Sequence, residues 1–370
     1  MTRTALDNQR TAGHNGSGVV ARRQAMSEAD IRPAELFNRY LELARRDVEL
    51  HFRDMSRFFT APCPGCGETR FEHAFTKHGF SYATCPACDS LYLNPRPERE
   101  LIDAYYRNAA SVRFWSSTFY PTTAAKRLEL MFRPRAEAVC ALASTNGADG
   151  SLVDVGPGYG LFLEAVRDLG AFGRIAAVEP NAELRERCVS LGVETLGCPV
   201  EDVHRADAGG VFHGAFDCAT NFEVLEHVYD PSAFLLAIGR LLRPGGLLVL
   251  TTLTSSGFDI AELWDRSKSV HPPHHINLLT LTGLRVLFER SGYEVVELTT
   301  PGELDVSILR GAIEEGGAAG VSRFARSIAG ADEATRGAFQ RFLRDHALSS
   351  HVRVAARWRG HGTEAPQCDC

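Results

Sequence analysis

The chain has 370 residues, of which 44% are hydrophobic and 23% charged, and its formal net charge is -6. This length exceeds one ordinary domain, so we expect a large core with a smaller module beside it. The acidic balance disfavours a nucleic-acid partner. The sequence contains no run of about 18 apolar residues, so no membrane span is predicted.

The N-terminal region divides into a tail and a helix. Residues 1–28 lack the apolar core of a secretion signal and contain few side chains that could pack, which predicts a disordered tail and a cytoplasmic protein. Residues 29–60 carry apolar side chains at helical spacing. They are expected to form an N-terminal helix, with Ser27 and Asp30 as candidate caps.

Two Cys-x-x-Cys motifs follow, CPGC at 63–66 and CPAC at 85–88. Two such pairs suit a tetrahedral site of four thiolates for zinc, whereas a redox-active Cys-x-x-Cys is the alternative for either pair alone. Four cysteines would leave no open coordination position, so the zinc would be structural. The sequence thus predicts a small zinc ribbon over residues 61–97. Its expected ligands are Cys63, Cys66, Cys85 and Cys88.

Residues 98–134 begin with a predicted helix through Leu101, Ile102 and Tyr105 and then become rich in aromatic side chains. Such a segment could form a lid over a pocket. Alternatively, its aromatic side chains join the ribbon to the core.

A strand, a glycine-rich turn and an amphipathic helix are predicted in SLVDVGPGYGLFLEAVRDLG. Gly156, Gly158 and Gly160 would let the backbone approach a ligand at the carboxyl end of the strand. Glu179 ends the next predicted strand, where an acid accepts hydrogen bonds from ribose hydroxyls. Strands and helices continue to alternate, which predicts an α/β fold with a parallel sheet. An NAD-dependent dehydrogenase is a weaker interpretation, because the turn lacks the G-x-G-x-x-G spacing.

The segment NFEVLEHVYDP follows the fourth predicted strand and carries Glu223, Glu226 and His227. These residues share one face if the segment is helical. Imidazole titrates near neutral pH, so His227 is the favoured general base, oriented by Glu226 or Glu223. The alternatives are a divalent metal held by these three side chains and a purely structural helix start. His274 and His275, in PPHHINLLT, are other candidate bases.

Four segments, VDVGPGYG, VEPN, LEHVYDP and LLRPGGLLVL, together resemble the class I S-adenosylmethionine-dependent methyltransferases. PPHHINLLT resembles the H-x-N-x-x-[ST] segment of bacterial members that also bear an N-terminal zinc ribbon. The E-x-x-E-H motif is similar to that of ubiquinone-biosynthesis O-methyltransferases, where it is associated with a divalent metal. The resemblance implies a Rossmann-like sheet with helices on both faces over residues 135–359, followed by a tail at 360–370.

The same resemblance implies S-adenosylmethionine as the cofactor and assigns residues to it. Asp154 and the glycine turn would hold its methionine end, and Glu179 would bind its ribose. Two further pairs complete the predicted set, with Val200 and Glu201 near the adenine and Asn221 and Phe222 lining the cleft.

Methyl transfer requires alignment of the acceptor and removal of its proton, so one base and a dry site suffice. We therefore expect O- or C-methylation of a small-molecule acceptor, such as a sugar, a nucleotide sugar or a secondary metabolite. Two alternatives stay open: an RNA methyltransferase whose ribbon recognises RNA, and a non-catalytic scaffold that binds the cofactor.

Overall fold

The computed structural model describes residues 26–317 and 319–360, so nearly all of both predicted tails lies outside the described residues. The first helices are α1 (Glu28–Ile31) and α2 (Ala34–His51). The carboxylate of Asp30 accepts hydrogen bonds from the backbone N–H and the hydroxyl of Ser27, which caps α1 as predicted. The single helix expected over residues 29–60 is instead two helices, because Pro33 separates them.

Short strands follow these helices and surround the two cysteine motifs. Their bounds are β1 (Phe58–Phe59), β2 (Glu72–Lys77), β3 (Phe80–Thr84), β4 (Leu91–Leu93) and β5 (Arg96–Pro97). β1 pairs with β5, while β2, β3 and β4 form an antiparallel meander. β2 and β3 lie between the two cysteine motifs, and β4 and β5 follow the second motif.

A long helical run connects these strands to the large sheet. Its α-helical parts are α3 (Arg99–Asn108), α4 (Ala110–Phe114), α5 (Tyr120–Arg127) and α6 (Arg133–Thr145). Two π-helical turns, Trp115–Phe119 and Leu128–Phe132, join α4, α5 and α6 end to end. Each precedes a proline, Pro121 or Pro134, whose ring would clash with a carbonyl in an α-helix. The predicted boundary between residues 134 and 135 thus falls inside a continuous helix.

Seven strands form the large sheet. The remaining strands of the chain are β6 (Ser151–Val155), β7 (Arg174–Val178), β8 (Glu194–Leu196), β9 (Phe216–Phe222), β10 (Leu242–Leu253), β11 (Asn277–Leu278), β12 (Tyr293–Thr299) and β13 (His351–Trp358). The strand order is β12-β13-β10-β9-β6-β7-β8. β13 runs antiparallel to both of its neighbours, and the strands from β10 to β8 are parallel.

Helices cover both faces of this sheet. They are α7 (Leu161–Leu169), α8 (Ala182–Ser190), α9 (Val203–Ala206), α10 (Pro231–Gly239), α11 (Phe258–Leu263), α12 (Leu281–Arg290), α13 (Asp305–Glu314), α14 (Arg323–Ala329) and α15 (Glu333–Asp345). In β9, Ala219 packs against the core on the α10 and α12 side, whereas Cys218 packs against α6 and α7. A strand buried on both faces is typical of parallel sheets between helices. The predicted Rossmann-like α/β fold class is confirmed.

The strand β11 belongs to the ribbon and not to the large sheet. It pairs antiparallel with β4, which gives a four-stranded sheet of order β11-β4-β3-β2, called here the ribbon sheet. Just beyond β11, the Thr280 hydroxyl donates to the carbonyl of Cys88 and accepts from the N–H of Gly283, so it caps α12. Among the described residues, the helices are too short or too polar to cross a bilayer.

We predict that Gly257→Ala destabilises the protein, because a Cβ at Gly257 would lie 2.1 Å from the Cα of Ser350. Overpacking of this kind costs about 1–3 kcal/mol in the free energy of unfolding, measured by urea denaturation. Gly209→Ala is the control, since its Cβ would make an ordinary 3.7 Å contact with Val211 and should change stability by less than about 0.5 kcal/mol. Equal losses in the two variants would contradict the packing argument.

Candidate active site

A cavity of about 970 Å³ lies where β9 and β10 end and their loops begin. Residues after β9, including Phe222 and Glu223, form one wall, and Thr251 and Leu253 of β10 form another. Aromatic rings from the N-terminal helices close the opposite side: Phe37, Tyr40, Tyr106, Trp115 and Tyr120. This volume and this mixture of apolar walls with a few polar groups are typical of small-molecule sites.

The loop after β9 is a tight turn and not a helix. Glu223 has a left-handed backbone with φ 54°, and its N–H donates to the carbonyl of Thr251 at 2.9 Å. Leu225–His227 then forms a short 3-10 turn, and the next helix begins only at Pro231. Glu223, Glu226 and His227 therefore do not share a helix face, contrary to the helical interpretation of this segment.

Glu223 contacts basic groups at the edge of the cavity. Its Oε1 lies 2.7 Å from His351 Nε2 and accepts hydrogen bonds from Arg135 at 3.2 Å and from the Thr251 hydroxyl at 2.6 Å. Burial opposes ionisation of this carboxyl, but His351, Arg135 and the hydroxyl outweigh it, so the pKa of Glu223 is lowered. Glu223 is a carboxylate at neutral pH.

The carboxyl of Glu226 has the opposite protonation state. Only 2% of Glu226 is exposed, and its Oε2 accepts a 2.6 Å hydrogen bond from the Thr252 hydroxyl. Burial, together with the charge of Glu223, raises the pKa of Glu226 to about 8. The carboxyl of Glu226 is therefore mostly protonated at pH 7, and two neighbouring glutamates differ in charge because their surroundings differ.

His227 lies in the cavity wall between Tyr106 and His275. Its Nδ1 is 3.2 Å from the Tyr106 hydroxyl, and its ring centroid is 4.8 Å from that of His275. Burial lowers the pKa of His227 to about 4, so the imidazole is neutral at physiological pH and can accept a proton.

Three side chains meet as a candidate metal group, and they are not the three that the sequence predicted. The ligating atoms of Glu226, His227 and His275 all lie within 4.8 Å of one another. Glu223 is outside this group because its carboxylate contacts Arg135 and His351. The structure replaces Glu223 by His275, whose Nδ1 lies 2.5 Å from the Ser269 carbonyl. A metal here would require Glu226 to lose its proton.

Further histidines continue from this group toward the N-terminal helices. The Tyr105 hydroxyl is 2.6 Å from His274 Nε2, and the ring of His271 stacks on His274 at 5.3 Å. The sequence offered His274 as a candidate base, whereas His271 and His351 lie outside the motifs described above. Their only signal is their proximity along the chain to PPHH and to the last predicted strand.

The glycine turn between β6 and α7 has the predicted geometry. Gly156, Gly158 and Gly160 have φ values of 71°, 54° and 77°, which favour glycine. The carboxylate of Glu179 accepts hydrogen bonds from the N–H groups of Gly158 at 3.2 Å and Asn181 at 2.9 Å. Burial raises the pKa of Glu179 to about 7, so hydrogen-bond donors on a ligand would stabilise its ionised form.

Polar atoms beneath the glycine turn match a ligand that donates hydrogen bonds. Asp154 accepts from the Thr220 hydroxyl at 2.8 Å through Oδ1, and Asn221 donates to the Val155 carbonyl at 2.7 Å. Oδ2 of Asp154 and Oδ1 of Asn221 are buried and have no partner within the part of the chain that the structure describes. Acceptors without donors fit the ammonium group of a methionine-derived cofactor.

The remaining predicted cofactor residues differ in placement. Phe222 lines the large cavity, and its ring lies 4.8 Å from the Arg135 guanidinium. Val200 packs into the core, 5% exposed, and Glu201 follows it in a 3-10 turn. Of the nine predicted cofactor residues, Phe222 alone lines the large cavity, which Asn181 and Leu184 also border.

The four cysteines of the ribbon converge. The Sγ atoms of Cys63 and Cys88 are 3.6 Å apart and those of Cys66 and Cys85 are 3.5 Å apart, and all four lie within 4.8 Å of one another. A tetrahedron of thiolates about 2.3 Å from zinc has sulfur atoms about 3.8 Å apart. The cluster therefore fits a four-thiolate zinc site.

Residues 126–298 match the family model described as "Methyltransferase domain". The ubiquinone biosynthesis O-methyltransferase of Xanthomonas oryzae pv. oryzae is 38% identical over 119 residues, which cover 31% of this chain and 48% of that protein. The enzyme of the same name from Cereibacter sphaeroides is 42% identical over 106 residues, covering 28% and 40% respectively. The chain spans about half the length of the curated relatives it matches.

Among solved structures, 1,6-didemethyltoxoflavin-N1-methyltransferase of Burkholderia thailandensis, with bound 1,6-didemethyltoxoflavin and S-adenosylhomocysteine, is similar to this chain. The sequence identity is 17% and the TM-score 0.43, with 78% of this chain and 99% of that chain covered.

We predict that Glu223→Gln destabilises the protein, because Arg135 loses the carboxylate that it contacts. The expected loss in the free energy of unfolding is about 1–3 kcal/mol, below that for a fully buried partner because the Glu223 side chain is 35% exposed. The control is Glu194→Gln, which breaks the exposed pair with Arg174 and should cost less than about 1 kcal/mol. The free energies of unfolding of both variants are measured by urea denaturation. A smaller loss of stability for Glu223→Gln than for Glu194→Gln would contradict the prediction.

Proposed function

We propose that this chain, whose core is a class I S-adenosylmethionine-dependent methyltransferase domain, transfers a methyl group from that cofactor to a small-molecule acceptor. The observation that carries the proposal is a neutral imidazole, His227, in the wall of a large aromatic-lined cavity at the carboxyl ends of β9 and β10. Ligands of open α/β sheets bind at this edge. The acceptor we favour is a sugar, a nucleotide sugar or a secondary metabolite.

The cofactor would be held by the residues around the glycine turn. Gly156, Gly158 and Gly160 would admit its methionine end, and Glu179 would accept hydrogen bonds from its ribose hydroxyls. Beneath the turn, Asp154 and Asn221 offer oxygens that lack a partner among the described residues. When bound, S-adenosylmethionine supplies the reactive methyl group on a sulfonium. Val200 and Glu201 remain the proposed neighbours of its adenine.

The residues of the cavity would align the acceptor and take its proton. His227 is the proposed general base, with Tyr106 fixing its ring through Nδ1. Glu226, being mostly protonated, would not compete for the proton, while Glu223 would hold Arg135 and His351 beside the cavity. The aromatic walls would exclude water, which favours transfer between aligned groups.

Oxygen is the methylated atom that we favour, because the curated relatives are named O-methyltransferases of ubiquinone biosynthesis. An activated carbon is the second choice. A divalent metal at Glu226, His227 and His275 is an alternative way to activate a hydroxyl, supported by the convergence of these three side chains. RNA is disfavoured as the acceptor by the net charge of -6.

We further propose that Cys63, Cys66, Cys85 and Cys88 bind one structural zinc ion. We also propose that the protein is cytoplasmic, because its closely spaced cysteines suit a metal site better than disulfides.

His227→Ala is expected to lower the turnover rate by about 10²- to 10⁴-fold, the usual contribution of a general base. The affinity for S-adenosylhomocysteine, measured by calorimetry, should change by no more than a few-fold. Acceptors are screened by mass detection of one added methyl group, and His213→Ala, at an exposed histidine, is the control. Unchanged turnover in His227→Ala would exclude His227 as the base, and binding without turnover of any acceptor would favour the scaffold.

The pH dependence of kcat/KM tests the same role. Because burial lowers the pKa of His227 to about 4, the imidazole is already neutral at pH 6. With S-adenosylmethionine at saturation, so that its ribose keeps Glu179 ionised, kcat/KM for the acceptor should be flat from about pH 6 to 7.5. It should change near pH 8, where Glu226 ionises beside the base. An inflection near pH 6.5, typical of a solvated histidine, would contradict this assignment.

Metal analysis of the purified protein should find about one zinc per chain. The double variant Cys63→Ser/Cys66→Ser should lose that zinc and unfold at lower temperature, because four thiolates no longer surround the metal. Cys140→Ser, outside the cluster, is the control and should keep its zinc. A fully folded wild-type protein without zinc would refute the proposed site.

A further inference from the structure

A second cavity, of about 290 Å³, lies between α2, the turn after β2 and the loop that contains His271. Lys268 and His271 line both this cavity and the large one, so the two cavities adjoin at these side chains. Apart from its histidines, its charged lining consists of four basic side chains and one carboxylate: Arg45, Lys77, Arg266, Lys268 and Asp265.

Positive charge is concentrated here although the chain as a whole carries -6. Asp265 lies 3.9 Å from Arg266, and Lys268 pairs with Glu315, a residue that does not line the cavity. Within the described residues neither Arg45 nor Lys77 has a salt bridge, and Asp265 is the one lining carboxylate that favours the charged form of Lys77. An oxyanion is the ligand that such a surplus of basic groups attracts.

Lys77 is a partly buried cation beside this cavity. It is partly buried on β2, and its ammonium donates to the Ser267 carbonyl at 2.7 Å. No ion-pair partner of Lys77 is found among the described residues. Burial lowers the pKa of Lys77 to about 8, which shows the cost of keeping this ammonium away from water. A bound anion would offset that cost.

His271 connects the basic cavity to the proposed base. It is 8% exposed, and its Nε2 has no hydrogen-bond partner within the described ranges. Its ring stacks on His274 at 5.3 Å, and the ring of His274 is 6.2 Å from that of His227. A group in the basic cavity therefore lies two imidazole rings away from His227.

We propose that the second cavity is an anion subsite, in which Lys77 and Lys268 bind a phosphate or carboxylate group of the acceptor while its reactive hydroxyl lies beside His227. The acceptor is then an elongated small molecule with an oxyanion at one end and the methylated group at the other. The assignment of the anion to an acceptor rests on the proposed function, whereas anion binding by the cavity does not.

The subsite is tested first with inorganic phosphate and the full-length, zinc-loaded protein without cofactor. Thermal unfolding is followed at rising phosphate, with chloride at equal ionic strength as the reference, since a ligand of the native state raises Tm. Lys77→Met should weaken the apparent affinity for phosphate at least tenfold. Lys126→Met is the matched control, because that lysine pairs with Asp30 and lines neither cavity.

The outcomes of this titration are distinct. No phosphate-dependent shift in the wild type, or an equal loss in Lys77→Met and Lys126→Met, overturns the subsite. Should Lys77→Met not fold, Lys268→Gln replaces it, with the same expected loss of phosphate affinity and with retention of that affinity overturning the proposal.

A second experiment measures turnover of two acceptors that differ only in one phosphate or carboxylate group. Lys77→Met should lower kcat/KM at least tenfold for the anionic acceptor and less than twofold for the neutral one. Equal effects on the two acceptors would show that Lys77 does not recognise the anionic group, which overturns the assignment to the acceptor. Failure to bind S-adenosylhomocysteine would refute the proposed function alone, since the phosphate titration uses neither cofactor nor acceptor.

Discussion

The side chain of Asn277 holds the ribbon sheet and the loop after β9 in one arrangement. Its amide nitrogen donates to the carbonyls of Leu225 and Val228, and its oxygen accepts from the guanidinium of Arg96 at 2.9 Å. The backbone of Asn277 meanwhile pairs with Tyr92 in the ribbon sheet. Because this amide is 1% exposed, each of its partners would lose a buried hydrogen bond without it. The position of the proposed base thus depends on the small module as much as on the large sheet.

The charges around the cavity follow from the same arrangement. The turn that begins at Glu223 directs one carboxylate toward Arg135 and His351, and the next glutamate of the motif, Glu226, is enclosed beside Thr252. One acid is therefore ionised and the other mostly neutral. His227 lies among buried groups that favour its neutral form, a state suited to accepting a proton. The fold, more than the identity of these residues, determines which of them carries charge.

Local signals in the sequence were sufficient for the parts of the fold that depend on neighbouring residues. The glycine turn, the alternation of strands and helices and the converging cysteines were all predicted from short segments. The helix face expected for Glu223, Glu226 and His227 was wrong, because a left-handed residue and contacts with β10 and β13 shape that loop.

Distant contacts carry little local signal, and they account for what the sequence did not show. His351 reaches Glu223 from a strand 128 residues away, and β11 joins the ribbon sheet although it follows the fifth strand of the large one. His271 acquires its significance only from the side chains that the fold brings to it, Lys77 and His274 among them. Neither motif spacing nor periodicity records such contacts.

The two π-helical turns before Pro121 and Pro134 give the long helix a fixed residue count. A π turn contains about one residue more than the α turn that it replaces, so it is equivalent to a single-residue insertion in an α-helix. Removing that residue would rotate everything on one side of it by about 100° relative to the other side. Arg127 and Arg135, which line the cavity on either side of the second turn, would then face different directions. This helix therefore tolerates substitution more readily than a change in length, and its register is part of the shape of the cavity.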